Sequence, residues 1–213
     1  NLTKVSTVDL LAAQFKGWKF DGDVSVAVVF ASDTIEGNDT VTECCIQLTQ
    51  TNKKNRIDEV LGAYTACTTI YLFEDGSVTD LSSLFYTDNP TYKSRLTKIS
   101  ILAGNFGNVT KAYAAFLNCS NVISMDMSGW DTSSLENANE VFKGCSSLTS
   151  LDLSNWDTSN ITHMGWMFQN CSKLTSLDLS SFDTSKVTTM NSMFNGCSSL
   201  TSLDLSSFDT SLV

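Results

Sequence analysis

The chain has 213 residues, of which 42% are hydrophobic and 17% are charged, a balance typical of a folded protein of one or two domains. Its 23 acidic and 13 basic residues give a net charge of −10, which disfavours binding to nucleic-acid phosphates and anionic lipid. No apolar run approaches the ~20 residues of a membrane-spanning helix. We therefore expect no nucleic-acid partner and no membrane insertion within this chain.

Residues 1–66 predict a small α+β unit. STVDLLAAQFKGW (6–18) and KNRIDEVLGAYT (54–65) are helix-like, and VSVAVVFAS (24–32) and TVTECCIQLTQ (40–50) are strand-like. We interpret this segment as an amino-terminal cap, because the first unit of a repeat array would otherwise expose its apolar end to water. A small independent domain is one alternative. A carbohydrate-processing activity is another, although the segment holds no histidine and no recognisable catalytic constellation.

A 26-residue repeat begins near Cys67 and continues to residue 213, where the chain ends within a unit, so we expect the natural protein to continue. Each unit carries L-x-x-L-x-L, then an aromatic residue, then Asp-Thr-Ser, then V-T-x-M-x-x-M-F. These three patterns predict a short strand, a turn and one apolar face of a short helix, respectively. The predicted fold class is therefore an α/β repeat, 67–213, in which neighbouring units bury one another's apolar faces.

Four of the seven cysteines recur at the repeat period rather than in C-x-x-C pairs, which argues against a zinc site. Parallel strands would place their sulfur atoms in a column ~4.8 Å apart with side chains pointing the same way, a poor geometry for disulfides. We predict that these cysteines are buried as small hydrophobic residues, beside a column of buried aromatic residues. The predicted structural ladder comprises Cys119, Cys145, Cys171, Cys197, Trp130, Trp156, Phe182 and Phe208.

The complete pattern, L-x-x-L-x-L followed by S-x-[WF]-D-T-S-x-[VI]-T-x-M-x-x-M-F-x-x-C, resembles the BspA-type leucine-rich-repeat surface proteins. The resemblance covers residues 67–213 and rests on three nearly complete copies. It implies a leucine-rich-repeat solenoid carried on the outside of bacteria, and of some mucosal protists, that is used for adhesion to host or neighbouring cells. It implies no enzyme activity and no particular ligand.

Polar residues alternate with the inward-facing Leu151 and Leu153 and should form outward columns along the strands. Neighbouring carboxylates would lie ~5 Å apart and repel one another by about 1 kcal/mol in water. A basic partner or calcium could relieve this repulsion, although the alternative is a solvated face that binds nothing. We predict no resident metal or cofactor, with calcium on the Asp column as the alternative. The candidate binding residues are Asp126, Ser150, Asp152, Ser154, Ser176, Asp178, Ser180 and Asp204.

A second Asp column, in the turn after the aromatic residue, predicts Asx turns rather than a ligand site; it comprises Asp131, Asp157, Asp183 and Asp209. Glycoside hydrolysis needs two carboxyl groups in unlike environments, and identical repeats give identical environments. Trp166 falls between the apolar columns, and an exposed Trp would be a candidate contact residue.

The sequence thus predicts a non-enzymatic, extracellular protein at a bacterial cell surface. Its repeats would present an extended Ser/Thr/Asp-rich face to a protein or glycan of a host or neighbouring cell, with many weak contacts adding by avidity. The alternative is a structural spacer that holds another domain away from the surface and binds nothing.

Overall fold

The computed structural model describes residues 26–29, 42–51, 53–74, 76–85, 90–102 and 106–213. Within these ranges, five parallel strands form one sheet in chain order: β1 (Val26–Val29), β2 (Glu43–Leu48), β3 (Thr69–Glu74), β4 (Lys98–Ile101) and β5 (Ser124–Asp126). The same ranges contain helices α1 (Lys53–Ala63) and α2 (Pro90–Arg95) and a short 3-10 helix (Phe106–Asn108). The arrangement is α/β, with a parallel sheet and few helices.

The amino-terminal elements fit the sequence pattern where the structure describes them. The two predicted strands are confirmed by β1 and β2, and the helix predicted for residues 54–65 is confirmed by α1. The helix predicted for residues 6–18 lies outside the described residues. Since β1 and β2 belong to the same sheet as β3, the described part of residues 1–66 is continuous with the segment that follows. The domain boundary at residue 66 stays a prediction.

The strand register repeats the spacing found in the sequence. Glu43 of β2 pairs with Thr69 of β3, and Lys98 of β4 pairs with Ser124 of β5, so that 26 residues separate the partners in both cases. Between β3 and β4 the separation is larger, with Thr69 opposite Lys98. The 26-residue spacing therefore already separates β2 from β3, one strand before the predicted start of the repeat.

A second set of backbone hydrogen bonds, which we call the bridge ladder, joins the units away from these strands. Its parallel bridges pair Lys111 with Asn137, Asn137 with His163, and His163 with Thr189. Between the bridges, N–H groups of one unit donate to carbonyls of the next, as from Phe142 to Met167 at 3.0 Å. Each repeat unit is thus hydrogen-bonded to its neighbours in register.

The helix predicted from V-T-x-M-x-x-M-F is wrong. Residues 165–170 and 191–196 form turns that follow the bridges at His163 and Thr189, and Trp166 and Ser192 within these turns have φ of 55° and 54°. A left-handed residue interrupts a right-handed helix, and the N–H groups that a helix would use internally donate instead to the adjoining unit. Apolar residues spaced by three suit such turns as well as they suit a helix.

The strand predicted from L-x-x-L-x-L is confirmed at β5 but not in the later units. The structure has no strand at residues 150–153 or 176–179. Just before these ranges, the Thr175 N–H donates to the Thr149 carbonyl at 3.2 Å. The predicted alternation nevertheless holds, because Leu151 and Leu153 are buried and the polar residues between and beside them are exposed.

The core runs through all repeat units as one continuous cluster of buried side chains. A ladder of Phe rings follows it, with centroid distances of 5.7 Å and nearly parallel planes from Phe116 to Phe142, from Phe142 to Phe168, and from Phe168 to Phe194. Such aromatic contacts stabilise the core in addition to the burial of apolar surface. Neither helix of the described segments has the length and apolar composition needed to cross a bilayer.

One turn position alternates between asparagine and glycine in successive units. Asn118, Gly144, Asn170 and Gly196 all have positive φ, between 57° and 79°. A Cβ atom at Gly144 would overlap Asn118 Oδ1, and one at Gly196 would overlap Asn170 Oδ1. Each asparagine side chain therefore occupies space that only a glycine in the next unit leaves open.

Candidate binding surface

The predicted binding residues lie together on one exposed surface, which we call the Asp column face. Asp126, in β5, is opposite Ser100 of β4, and the equivalent positions of later units continue the column. Hydrogen bonds from Ser154 lower the pKa of Asp152 overall, and the charge of the neighbouring Asp126 only partly opposes them. The eight predicted residues are all exposed: Asp126, Ser150, Asp152, Ser154, Ser176, Asp178, Ser180 and Asp204.

Each aspartate of this face also closes a local Asx turn. Its Oδ1 accepts a hydrogen bond from the backbone N–H of the serine two residues later, at 3.0 Å for Ser154 with Asp152 and 3.0 Å for Ser180 with Asp178. Asp126 and Asp204 do the same. These side chains therefore stabilise the turn that follows, a role the sequence analysis gave only to the second column.

Hydrogen bonding lowers the pKa of these carboxylates. The backbone N–H of Ser154, followed by its hydroxyl, lowers the pKa of Asp152, which outweighs the opposing charge of Asp126. At Asp126, partial burial acts to raise the pKa, but hydrogen bonds from Ser128 and Ser100 and the charge of Lys98 lower it overall. The face is thus a row of charged acceptors for hydrogen-bond donors or cations.

The geometry offers no ready-made metal site. Throughout the described part of the chain, no three His, Cys, Asp or Glu side chains are grouped as metal ligands. One oxygen of each Asp is already bonded to a backbone amide, and the unit spacing places the next carboxylate along the column rather than around a common point. Calcium on the column stays a prediction.

The second Asp column forms the predicted Asx turns. The N–H groups of Ser133, Ser159, Ser185 and Ser211 donate to the Oδ1 atoms of Asp131, Asp157, Asp183 and Asp209, at 2.9 to 3.0 Å. The prediction of a turn role for these four residues is confirmed.

The sequence analysis missed the threonine between Asp and Ser, which links adjacent units. Thr158 is 2% exposed; its Oγ1 donates to the Asp183 carbonyl at 3.0 Å and accepts from the Asp183 N–H at 2.8 Å. Thr132 and Thr184 make the same pair of bonds to Asp157 and Asp209. The signal was present, because Asp-Thr-Ser recurs in all four units while the positions on either side of the tripeptide vary.

The structure places the predicted ladder residues in the core. All seven cysteines lie in the described segments, where they are buried. Thiols of the repeat units are also hydrogen-bonded across units: Cys171 Sγ donates to the Phe142 carbonyl at 3.2 Å and Cys197 Sγ to the Phe168 carbonyl at 3.0 Å. Trp130, Trp156 and Phe182 are buried, whereas Phe208 is only partly buried.

The repeat units also carry the match to known proteins. The family described as "Mycoplasma protein of unknown function, DUF285" matches residues 56–150 and again residues 110–213, together well over half of the chain. The chain belongs to this family. The two DUF285 matches overlap at residues 110–150, as expected when a family of repeated units is aligned to a repeated sequence. No curated protein and no solved structure matched the chain.

Proposed function

We propose that this DUF285 protein is a non-enzymatic, extracellular surface protein. Its repeats form a leucine-rich-repeat solenoid of the BspA type, which presents the Asp column face to a protein or glycan on a host or neighbouring cell. The observation that carries the proposal is the in-register bonding of successive units, which repeats one exposed set of polar side chains along the chain.

Two inter-unit contacts support the solenoid. Parallel strands and the bridge ladder lie in different segments of the unit, and both join residues of adjacent units at or near the repeat period. A unit held to its neighbours on two sides extends the array by one strand spacing, ~4.8 Å, without changing its cross-section.

Repetition of weak polar contacts supports a binding platform. Asp152, Asp178 and Asp204 are exposed and stay charged, so a ligand with matching donors could engage several of them at once. Individual exposed pairs are weak, but linked equivalent contacts raise the overall affinity.

The Asx turns favour a second candidate function, a structural spacer. Because each Asp of the face already stabilises a turn, its repetition has a structural explanation that needs no ligand. In that case the repeats only separate another domain from the cell surface.

Changing Asp152 and Asp178 to Asn together separates these functions. Asn keeps a side-chain oxygen that can accept the turn hydrogen bond, but it removes the charge. For a platform, the chain should bind immobilised host-matrix proteins or host cells, and the variant should bind more weakly with a smaller dependence on salt.

The matched control is the double change Asp157→Asn and Asp183→Asn in the second column, which should leave binding unchanged. Equal binding by the parent and the Asp152/Asp178 variant would contradict the assignment to the Asp column face. No binding by the parent chain would favour the spacer.

A further inference from the structure

Four side chains on the bridge ladder form a continuous surface patch, which we call the aromatic patch: Tyr113, Glu140, Lys143 and Trp166. The Tyr113 hydroxyl donates to Glu140 Oε1 at 3.3 Å, and Lys143 Nζ lies 2.9 Å from Glu140 Oε2. Lys143 Nζ also lies 5.7 Å from the centroid of the Trp166 ring. These contacts connect three successive units through their side chains alone.

The fold does not require these residues, because the same positions hold different side chains in other units. Tyr113 is 43% exposed and Trp166 is partly exposed, whereas the core aromatic residues are buried. The position of Tyr113 is occupied elsewhere by Asn139, Gly165 and Asn191, and that of Trp166 by Ala114, Glu140 and Ser192. The patch is thus a departure from the repeat rather than part of it.

Backbone conformation makes Trp166 an unusual choice. Its φ of 55° is shared by the equivalent Ala114 and Ser192, so the fold sets this angle for every unit. Large side chains rarely adopt left-handed conformations, and such strained residues cluster at binding and active sites. The ring of Trp166 contacts Lys143 and is partly exposed, so its remaining surface is open to a ligand.

The composition of the patch indicates an uncharged ligand with both apolar and hydroxyl surfaces. Glu140 and Lys143 neutralise each other, and the net charge of −10 disfavours anionic ligands. Aromatic rings offer flat apolar contact, while the carboxylate and the tyrosine hydroxyl can accept or donate hydrogen bonds. Tyr113 and Trp166 lie two units apart, or ~10 Å at one strand spacing per unit, which suits contacts with separate rings of an extended sugar chain.

We propose that the aromatic patch is a binding site for a neutral glycan chain, with Trp166 and Tyr113 stacking on sugar rings and the Tyr113 hydroxyl and Lys143 bonding to sugar hydroxyl groups. The inference goes beyond the proposed platform, because it uses the bridge ladder rather than the Asp column face and names a ligand class. Its residues are specific to three units, so one chain holds one such site within its described part.

Two variants copy residues that the fold already accepts at these positions. Trp166→Ala reproduces Ala114, which has the same φ, and Tyr113→Asn reproduces Asn139. The control is Ile123→Thr, which removes an apolar side chain that is 56% exposed outside the patch and reproduces Thr149. Circular dichroism and urea unfolding verify that each variant is folded.

Isothermal titration of the full chain measures binding to β-1,4-linked hexasaccharides of glucose and of N-acetylglucosamine, an α-1,4-linked glucose hexasaccharide and an acidic hexasaccharide. We expect binding to at least one of the neutral hexasaccharides, weakened about tenfold by Trp166→Ala and severalfold by Tyr113→Asn, and unchanged by Ile123→Thr. Binding of acidic sugars only, binding of none, or equal binding by Trp166→Ala would overturn the inference.

The Asp152/Asp178 variant distinguishes this result from the proposed function. If it binds the neutral hexasaccharide as the parent does, while Trp166→Ala does not, the aromatic patch is supported independently of the Asp column face. If the parent binds host cells through the Asp column face but binds no hexasaccharide, the platform stands and the aromatic patch is refuted.

Discussion

The threonine that joins adjacent units gives the sharpest test of the fold. Replacing Thr158 with Val keeps the side-chain shape but removes the hydroxyl that bonds both the N–H and the carbonyl of Asp183, at 2.8 and 3.0 Å. Leaving a buried backbone group without a partner costs about 1–3 kcal/mol. Because Asp183 is exposed to solvent, water can partly replace the two lost hydrogen bonds. We therefore expect the unfolding free energy to fall by about 2–3 kcal/mol in total.

Urea unfolding followed by tryptophan fluorescence measures this loss. The unfolding free energy of a protein of this size falls by about 2–3 kcal/mol per M urea. The urea midpoint should therefore fall by about 1 M, while this slope stays unchanged. The control is Thr175→Val, at an exposed residue whose hydroxyl makes one bond, to the Thr149 carbonyl at 3.1 Å; it should cost less than about 0.5 kcal/mol. If Thr158→Val and Thr175→Val shift the midpoint equally, the threonine does not join the units as described.

Three further predictions concern the turns and the thiols. Gly144→Ala should lower the unfolding free energy by about 1–3 kcal/mol because of its positive φ and its contact with Asn118, whereas Gly107→Ala, which meets only the flexible carboxylate of a side chain, should cost less; urea midpoints compare them. Hydrogen bonding lowers the pKa of Asp152, so its ionised form contributes stability that is present above pH ~3.9 and is lost as the pH falls through the folded-state pKa. Asp152→Asn should therefore reduce the loss of unfolding free energy between neutral and acidic pH. An unchanged loss would contradict this. Burial raises the pKa of Cys171 to about 12, so iodoacetamide at pH 8 should label it only after urea unfolding, and mass spectrometry showing native labelling would count against its burial.

Periodicity in the sequence predicted the parallel strands and the buried columns because both depend on which residues recur every 26 positions. It did not predict the turns of the bridge ladder, since the spacing of Ile161, Met164, Met167 and Phe168 is compatible with either a helix or consecutive turns. Hydrogen bonds between units decide this choice, and a single unit read alone carries no sign of them.

The two Asp columns show a different limit of pattern reading. Asp152-Leu-Ser and Asp157-Thr-Ser share the same D-x-S spacing, and both form Asx turns. The sequence analysis separated them because one follows the strand alternation and the other follows the aromatic residue. The pattern indicated Trp166, which falls between the apolar columns, but it did not indicate Tyr113, whose contact with Glu140 of the next unit appears only in the structure.

The alternation of Asn118, Gly144, Asn170 and Gly196 limits how such a gene can gain or lose repeats. Deleting the single unit that ends at Gly144 would bring Asn170 next to Asn118, and its Cβ would collide with the Asn118 side chain, as a Cβ at Gly144 would. Removing or duplicating two units at a time preserves the order of large and small residues. Variants of this chain that lose or gain two adjacent units should therefore be more stable than variants that lose or gain one.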